Sequence, residues 1–183
     1  MVRLVDGQSS REESQLRDRL DHPLNLFLLT MMHQPIEISA ALGRGLEVGQ
    51  RSVDVLEVEW HETAKSRLRR KTVGGQQVLI NRADRGTFQD GDVLYLSEEM
   101  AILLRIKPCD CIVLRPNSLQ EVGTLCFEIG NKHVPIFMTD EQEVCVAYDG
   151  YLYQMLQSGN FFPTIEERVL YPYQMVKAYG NIA

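Results

Sequence analysis

The chain carries no excess of positive charge, no run of apolar residues long enough to span a bilayer, few cysteines and a single tryptophan. Each shortage removes a class of function. With 19 Lys and Arg against 25 Asp and Glu, the net charge is -6. A general nucleic-acid binder would show a basic footprint, so none is expected here. The longest strongly apolar stretch, near Leu26 to Met32, is too short for a membrane helix. It follows the polar residues Glu12, Glu13, Asp18 and Asp21, which is not the order of a signal peptide. A cytoplasmic protein is expected, with its four cysteines reduced. Catalytic signatures are also missing. The chain has no phosphate-cradling glycine loop, no Gly-x-Ser-x-Gly elbow and no His-Glu-x-x-His pair. An enzyme is therefore not expected.

What is present divides into three stretches. Residues 1–34 hold a capping box at Ser10-Arg11-Glu12-Glu13 and a short helical pattern that should end before Pro23. This extension is expected to attach weakly to the core. From 35 to 107 the period is that of β structure. Leu56, Val58 and Trp60 alternate with Glu57 and Glu59. Ser66 to Thr72 and Val78-Leu79-Ile80 flank Gly74-Gly75, a hairpin signal because both glycines can take positive φ. Asp90-Gly91 turns into Val93 to Leu96, and Ala101 to Ile106 follows. Short strands at such spacing predict a small β-sandwich or open barrel.

From 108 to 183 the period switches. Ile112-Val113-Leu114 reads as a strand, and Ser118-Leu119-Gln120-Glu121 as a capping box. Leu119, Val122, Cys126 and Ile129 line one predicted helix face, closed by Gly130 as C-terminal cap. Strands over Val134 to Met138 and Val144 to Tyr148 follow. Asp149 then caps a helix with Leu152, Met155 and Leu156 inward, closed by Gly159. A last strand runs from Ile165 to Tyr171. The order β-α-β-β-α-β is the ferredoxin-like arrangement. The whole is an α+β chain.

The chemistry concentrates at Gly130-Asn131-Lys132-His133-Val134-Pro135. Imidazole is the side chain best suited to Zn, Cu or Ni at neutral pH. A lone imidazole holds an ion poorly, and a two-fold axis would bring it to its own copy. Of the remaining histidines, His22 and His33 lie in the extension, and His61 is expected at a solvated surface. Cys126 and Cys145 read as small core residues. Cys109-Asp110-Cys111 is a pair able to hold a soft ion, without the knuckle spacing of structural zinc. Lys65, Arg67, Arg69, Arg70 and Lys71 form a basic cluster, either a solvent face or a docking surface for an acidic partner.

Several motifs in one order resemble the urease accessory protein E family, the nickel metallochaperones of urease maturation. They are Leu56-Glu57-Val58-Glu59-Trp60 with Lys65-Ser66-Arg67-Leu68-Arg69, Arg85-Gly86-Thr87 with Asp90-Gly91-Asp92-Val93-Leu94, the His133 motif, Tyr148-Asp149, and Ala178-Tyr179-Gly180. The resemblance implies a β domain followed by a ferredoxin-like metal-binding domain. It implies a homodimer in which two copies of His133 bind Ni2+, with Zn2+ or Cu2+ as competitors in vitro. It implies delivery to the urease apoprotein beside other accessory proteins, including an accessory GTPase. The family's histidine-rich tail is not matched, since no histidine follows His133. Ala147 and Gly150 replace histidines that some members carry around Tyr148-Asp149. Remaining coordination would then fall to water, backbone, a partner, Cys145 or Tyr148. The alternatives are an interaction module acting through Lys65, Arg67, Arg69 and Arg70 with little metal transport, and a zinc or copper buffer built on Cys109 and Cys111.

Overall fold

The computed structural model describes residues 34–177. The predicted helix of the extension and the Ala178-Tyr179-Gly180 match lie outside the described residues. Within them the chain is mixed α and β, mostly sheet with two α-helices. No described helix is long and apolar enough to cross a membrane.

The first seven strands are β1 (Ile36–Ile38), β2 (Gly43–Arg44), β3 (Ser52–Val58), β4 (Arg67–Lys71), β5 (Gln77–Asn81), β6 (Asp92–Leu96) and β7 (Met100–Ile106). They form two sheets, ordered β1-β5-β4 and β2-β6-β7-β3. The alternating side chains of each sheet meet in one core. Ile38, Leu68, Val78 and Ile80 come from the first sheet and Leu56, Val58, Leu94, Ile102, Leu104 and Ile106 from the second. Burial of such aliphatic side chains is worth about 1.5–3 kcal/mol each and is the main force closing the two layers.

Two of the pairings are parallel, β1 with β5 and β3 with β7. The β4–β5 hairpin is antiparallel as predicted. Of its two glycines only Gly75 takes positive φ, at 92°. Gly74 instead donates its N–H to Asp54 Oδ1 at 2.8 Å, which ties the hairpin to β3. Trp60 is not the last residue of a strand. β3 ends at Val58, and Trp60–Glu62 forms a 3-10 turn that leaves Trp60 half-buried.

After Lys107 and Pro108 come β8 (Cys109–Leu114), α1 (Leu119–Gly130), β9 (Phe137–Met138), β10 (Val144–Ala147), α2 (Gly150–Ser158) and β11 (Thr164–Arg168). The sheet order is β11-β8-β10-β9, with every pair antiparallel. Period-two alternation gives this sheet two different faces. Ile112, Leu114, Val144 and Val146 face the helices and pack on Leu125, Ile129, Leu152 and Leu156. Cys111, Val113, Phe137 and Cys145 face the other way, into a layer with Leu170 and Trp60.

Both helices start where capping chemistry demands. The Glu121 N–H donates to Ser118 Oγ at 3.1 Å and the Leu152 N–H to Asp149 Oδ1 at 2.7 Å. The returning Glu121 carboxylate accepts from Asn117, one residue before the cap. The inward stripe of α1 differs from the prediction. Leu119 is 90% exposed, and Leu125 and Ile129 are the fully buried residues, with Cys126 only half-buried beside them. Strands β9 and β11 are shorter than predicted. Val134 to Ile136 lies outside the ladder, and the chain past Arg168 leaves it.

Candidate metal centre

His133 sits in the turn that joins α1 to β9. The helix closes through the Asn131 N–H to Phe127 O at 3.0 Å and the Lys132 N–H to Ile129 O at 2.9 Å. The His133 N–H then donates to Gly130 O at 2.9 Å. The residue in the left-handed region is His133 itself, at φ 56°, and not Gly130. Left-handed backbone is costly for most L-residues, and His is among the types enriched there. Pro135 follows two residues later and cannot continue the helix. The turn is anchored at both ends by buried side chains, Ile129 before it and Ile136 and Phe137 after it. An exposed imidazole thus stands on a short turn whose two feet lie in the core.

The neighbouring corner, where β10 runs into α2, is joined to this turn through side chains. Lys132 Nζ lies 5.6 Å from the centre of the Tyr151 ring, within reach of a cation–π attraction. Tyr148 donates its backbone N–H to Asp110 O at 2.9 Å and holds its ring near Tyr153. Phe127, one helical turn before Asn131, is 67% exposed, and Tyr151 is 70% exposed. Large aromatic side chains are thus left in water at this end of the molecule.

Of the other proposed ligands, Tyr148 is exposed at this end of the molecule. Cys145 is not brought to His133. It is 2% exposed on the sheet face turned away from the helices, whereas the His133 turn is rooted in the helix-side core. Burial pushes the Cys145 thiol up to about 11, and Glu143 adds to the shift. Among the described residues no group of three His, Cys, Asp or Glu side chains converges as a metal site. His61 is exposed, edge-on to Trp60, as expected for a surface histidine.

The basic cluster proves to be two different things. Glu62 is buried, and its carboxylate takes both Lys65 Nζ at 3.1 Å and the Arg70 guanidinium. Burial alone would raise the Glu62 pKa. The Glu59 N–H and the Lys65 and Arg70 cations outweigh it and hold the group below its usual value. Arg69 bonds the neutral Gln77 side chain at 2.8 Å. Arg67 and Arg69 are exposed on β4, an edge strand, and have no carboxylate partner among the described residues. Lys65 and Arg70 are structural cations; Arg67 and Arg69 are available ones. The buried carboxylate that divides them was not anticipated from the sequence, where Glu62 lies in the same acidic run as Glu57 and Glu59.

No family model matches the chain. Curated relatives do. A urease accessory protein UreE of Flavobacterium johnsoniae is 37% identical over 126 residues, covering 68% of this chain and 75% of the relative. One of Actinobacillus pleuropneumoniae is 33% identical over 144 residues, 78% of this chain and 76% of the relative. One of Acetivibrio thermocellus is 35% identical over 113 residues, 62% of this chain and 73% of the relative.

Proposed function

The chain belongs to the family of urease accessory proteins named UreE, and from that membership we propose that it is a nickel carrier for assembly of the urease metallocentre. In this reading residues 35–107 are a β domain that meets partner proteins, and residues 108–183 are a ferredoxin-like metal-binding domain. Two chains form a homodimer about an axis beside the α1–β9 turn. Ni2+ is the cargo, held by His133 of both copies with Tyr148 as an auxiliary oxygen donor. The protein performs no catalysis, works in the cytoplasm and passes its ion to the urease apoprotein together with the accessory GTPase and the other maturation proteins.

The observation that carries this reading is His133 itself, exposed on a left-handed turn inside the family's motif. The exposed aromatics Phe127, Tyr148 and Tyr151 around that turn support a second copy as the source of further ligands. Such a site is shallow and incompletely coordinated. An acceptor's ligands can then enter before the donor's leave, which suits transfer better than storage.

Native mass spectrometry during nickel titration tests it. A dimer taking one Ni2+, with none bound by His133→Ala, is expected. Equal nickel uptake by both proteins would remove His133 from the site.

A second reading is an interaction module of the maturation complex with little metal transport of its own. It is favoured by Arg67 and Arg69, two cations without an acidic partner among the described residues on an edge strand. Its signature is urease activation that survives His133→Ala and fails in R67E/R69E.

A further inference from the structure

The sheet face turned away from the helices carries a second arrangement of metal-ligating groups, independent of the nickel reading. Cys109 and Cys111 occupy alternate positions of β8 and so project to the same side. Their Sγ atoms are 3.7 Å apart. Cys111 is fully buried against Val113, Phe137 and Leu170, while Cys109 is half-buried and opens the pair to solvent next to Pro108.

Three outcomes are open to two thiols at that distance: to remain apart, to join as a disulfide, or to share an ion. Strand geometry opposes the disulfide. Residues two apart in a strand have Cα atoms about 6.7 Å apart, at the upper limit of about 6.8 Å that a disulfide spans. Contraction is opposed by the ladders, since β8 pairs with β11 from Cys109 onward and with β10 from Cys111 onward. An ion needs no contraction. At the zinc–thiolate length of about 2.3 Å, two metal–sulfur bonds meeting at about 107° span the observed 3.7 Å. Side-chain torsions alone open that angle toward a straight line.

The choice of ion follows from the donor set. Structural zinc needs four ligands, and no third His, Cys, Asp or Glu joins this pair among the described residues. Thiolates are soft and select Cu(I), a closed-shell ion that is stable with two ligands. Phe137 and Leu170 pack around Cys111 with the half-buried Trp60 beside them, and leave Cys109 as the side of the pair open to solvent.

We propose that Cys109 and Cys111 form a two-thiolate site for Cu(I), separate from the His133 centre. Binding releases both thiol protons: one Cu+ and two R–SH give one bis-thiolate complex of net charge -1 and two H+. No electron is transferred.

The test is titration of the full chain with Cu(I) under anaerobic conditions with ascorbate, against a chromophoric Cu(I) chelator. X-ray absorption of the loaded protein accompanies it. Wild type and His133→Ala should each bind one Cu(I) per chain, with a shell of two sulfurs shorter than the zinc–thiolate length of about 2.3 Å. Cys109→Ser removes the half-exposed thiol and leaves the core intact; it should bind at least about a hundredfold more weakly. Cys145→Ser should bind as wild type. Unchanged affinity in Cys109→Ser, loss in His133→Ala, or a nitrogen shell in the absorption spectrum would each overturn the proposal. So would a disulfide in the copper-free anaerobic protein.

Discussion

Trp60 and Phe137 stand edge to face, ring centroids 5.4 Å apart and planes at 83°. They come from opposite halves of the chain. Trp60 closes β3's end of the first core, and Phe137 begins β9 immediately downstream of the His133 turn. The pair is therefore a direct side-chain joint between the two-sheet region and the stretch that carries the candidate ligand.

Trp60→Ala should cost about 3–5 kcal/mol through lost burial and the lost ring pair. Because the joint lies between two cores, one unfolding transition should separate into two. Denaturant unfolding followed by circular dichroism and by tyrosine fluorescence checks this; coincident single transitions would show that the halves are coupled elsewhere.

His133 holds its left-handed φ of 56° as a ligand candidate and not as a glycine surrogate. Replacing it with Gly should leave stability unchanged or slightly raised, whereas Ala should cost about 1 kcal/mol. Both should lose nickel. A melting-temperature series set beside nickel binding for the two variants distinguishes lost ligation from a lost turn.

Glu62 is buried with two cations converging on it. Glu62→Ala should destabilise the protein by about 1–2 kcal/mol, since it removes the acceptor of the Glu59 N–H and of two cations that themselves remain half exposed to water. Arg70→Glu should be similarly damaging to the fold. R67E/R69E should not, so this pair alone reads out docking. Urea midpoints of the three variants decide the matter.

Across the sheet, Arg115, Glu143, Glu166 and Arg168 form a closed ring of alternating charge, with contacts from 2.6 to 3.4 Å. The Arg115, Thr164 and Arg168 hydrogen bonds hold the Glu166 pKa at about 2, below the usual 4.5. A carboxylate depressed in the folded state contributes stability above its unfolded pKa and loses it as pH falls through the folded one. The protein should therefore weaken between pH 4.5 and about 2. Glu166→Gln should flatten that part of the curve. Chemical denaturation at stepped pH measures it.

Much of the second half was readable because its signals are local. Ser118 and Asp149 bond the N–H groups three residues on, whatever surrounds them. Leu152 and Leu156 recur at helical spacing and are buried. Leu119 misled because it satisfies the same spacing from the first turn, yet it is left exposed there while Leu125 and Ile129 are the buried residues. Strands β1 and β2, of three and two residues, carry no period of their own and exist only through β5 and β6. The sequence points to Gly130 as the C-terminal cap of α1, whereas the helix runs through Gly130 and the left-handed residue is His133. That placement follows from the turn's hydrogen bonds, which no single-residue preference reports. The difference between Lys65 and Arg70 on one side and Arg67 and Arg69 on the other depends on where Glu62 points. Composition does not contain that information.

The parallel ladder between β3 and β7 has a consequence during synthesis. As the polypeptide leaves the ribosome, β3 emerges first, and its partner follows about fifty residues later, at roughly 5–20 residues per second. For several seconds Leu56 and Val58 have no ladder to join, and the β4–β5 hairpin, whose Leu68, Val78 and Ile80 share their core, is an early structure able to shield them. Substitutions that loosen that hairpin, at Gly75 or at the Asp54 bonds to Thr72 and Gly74, should therefore lower the yield of folded protein more than they lower its equilibrium stability.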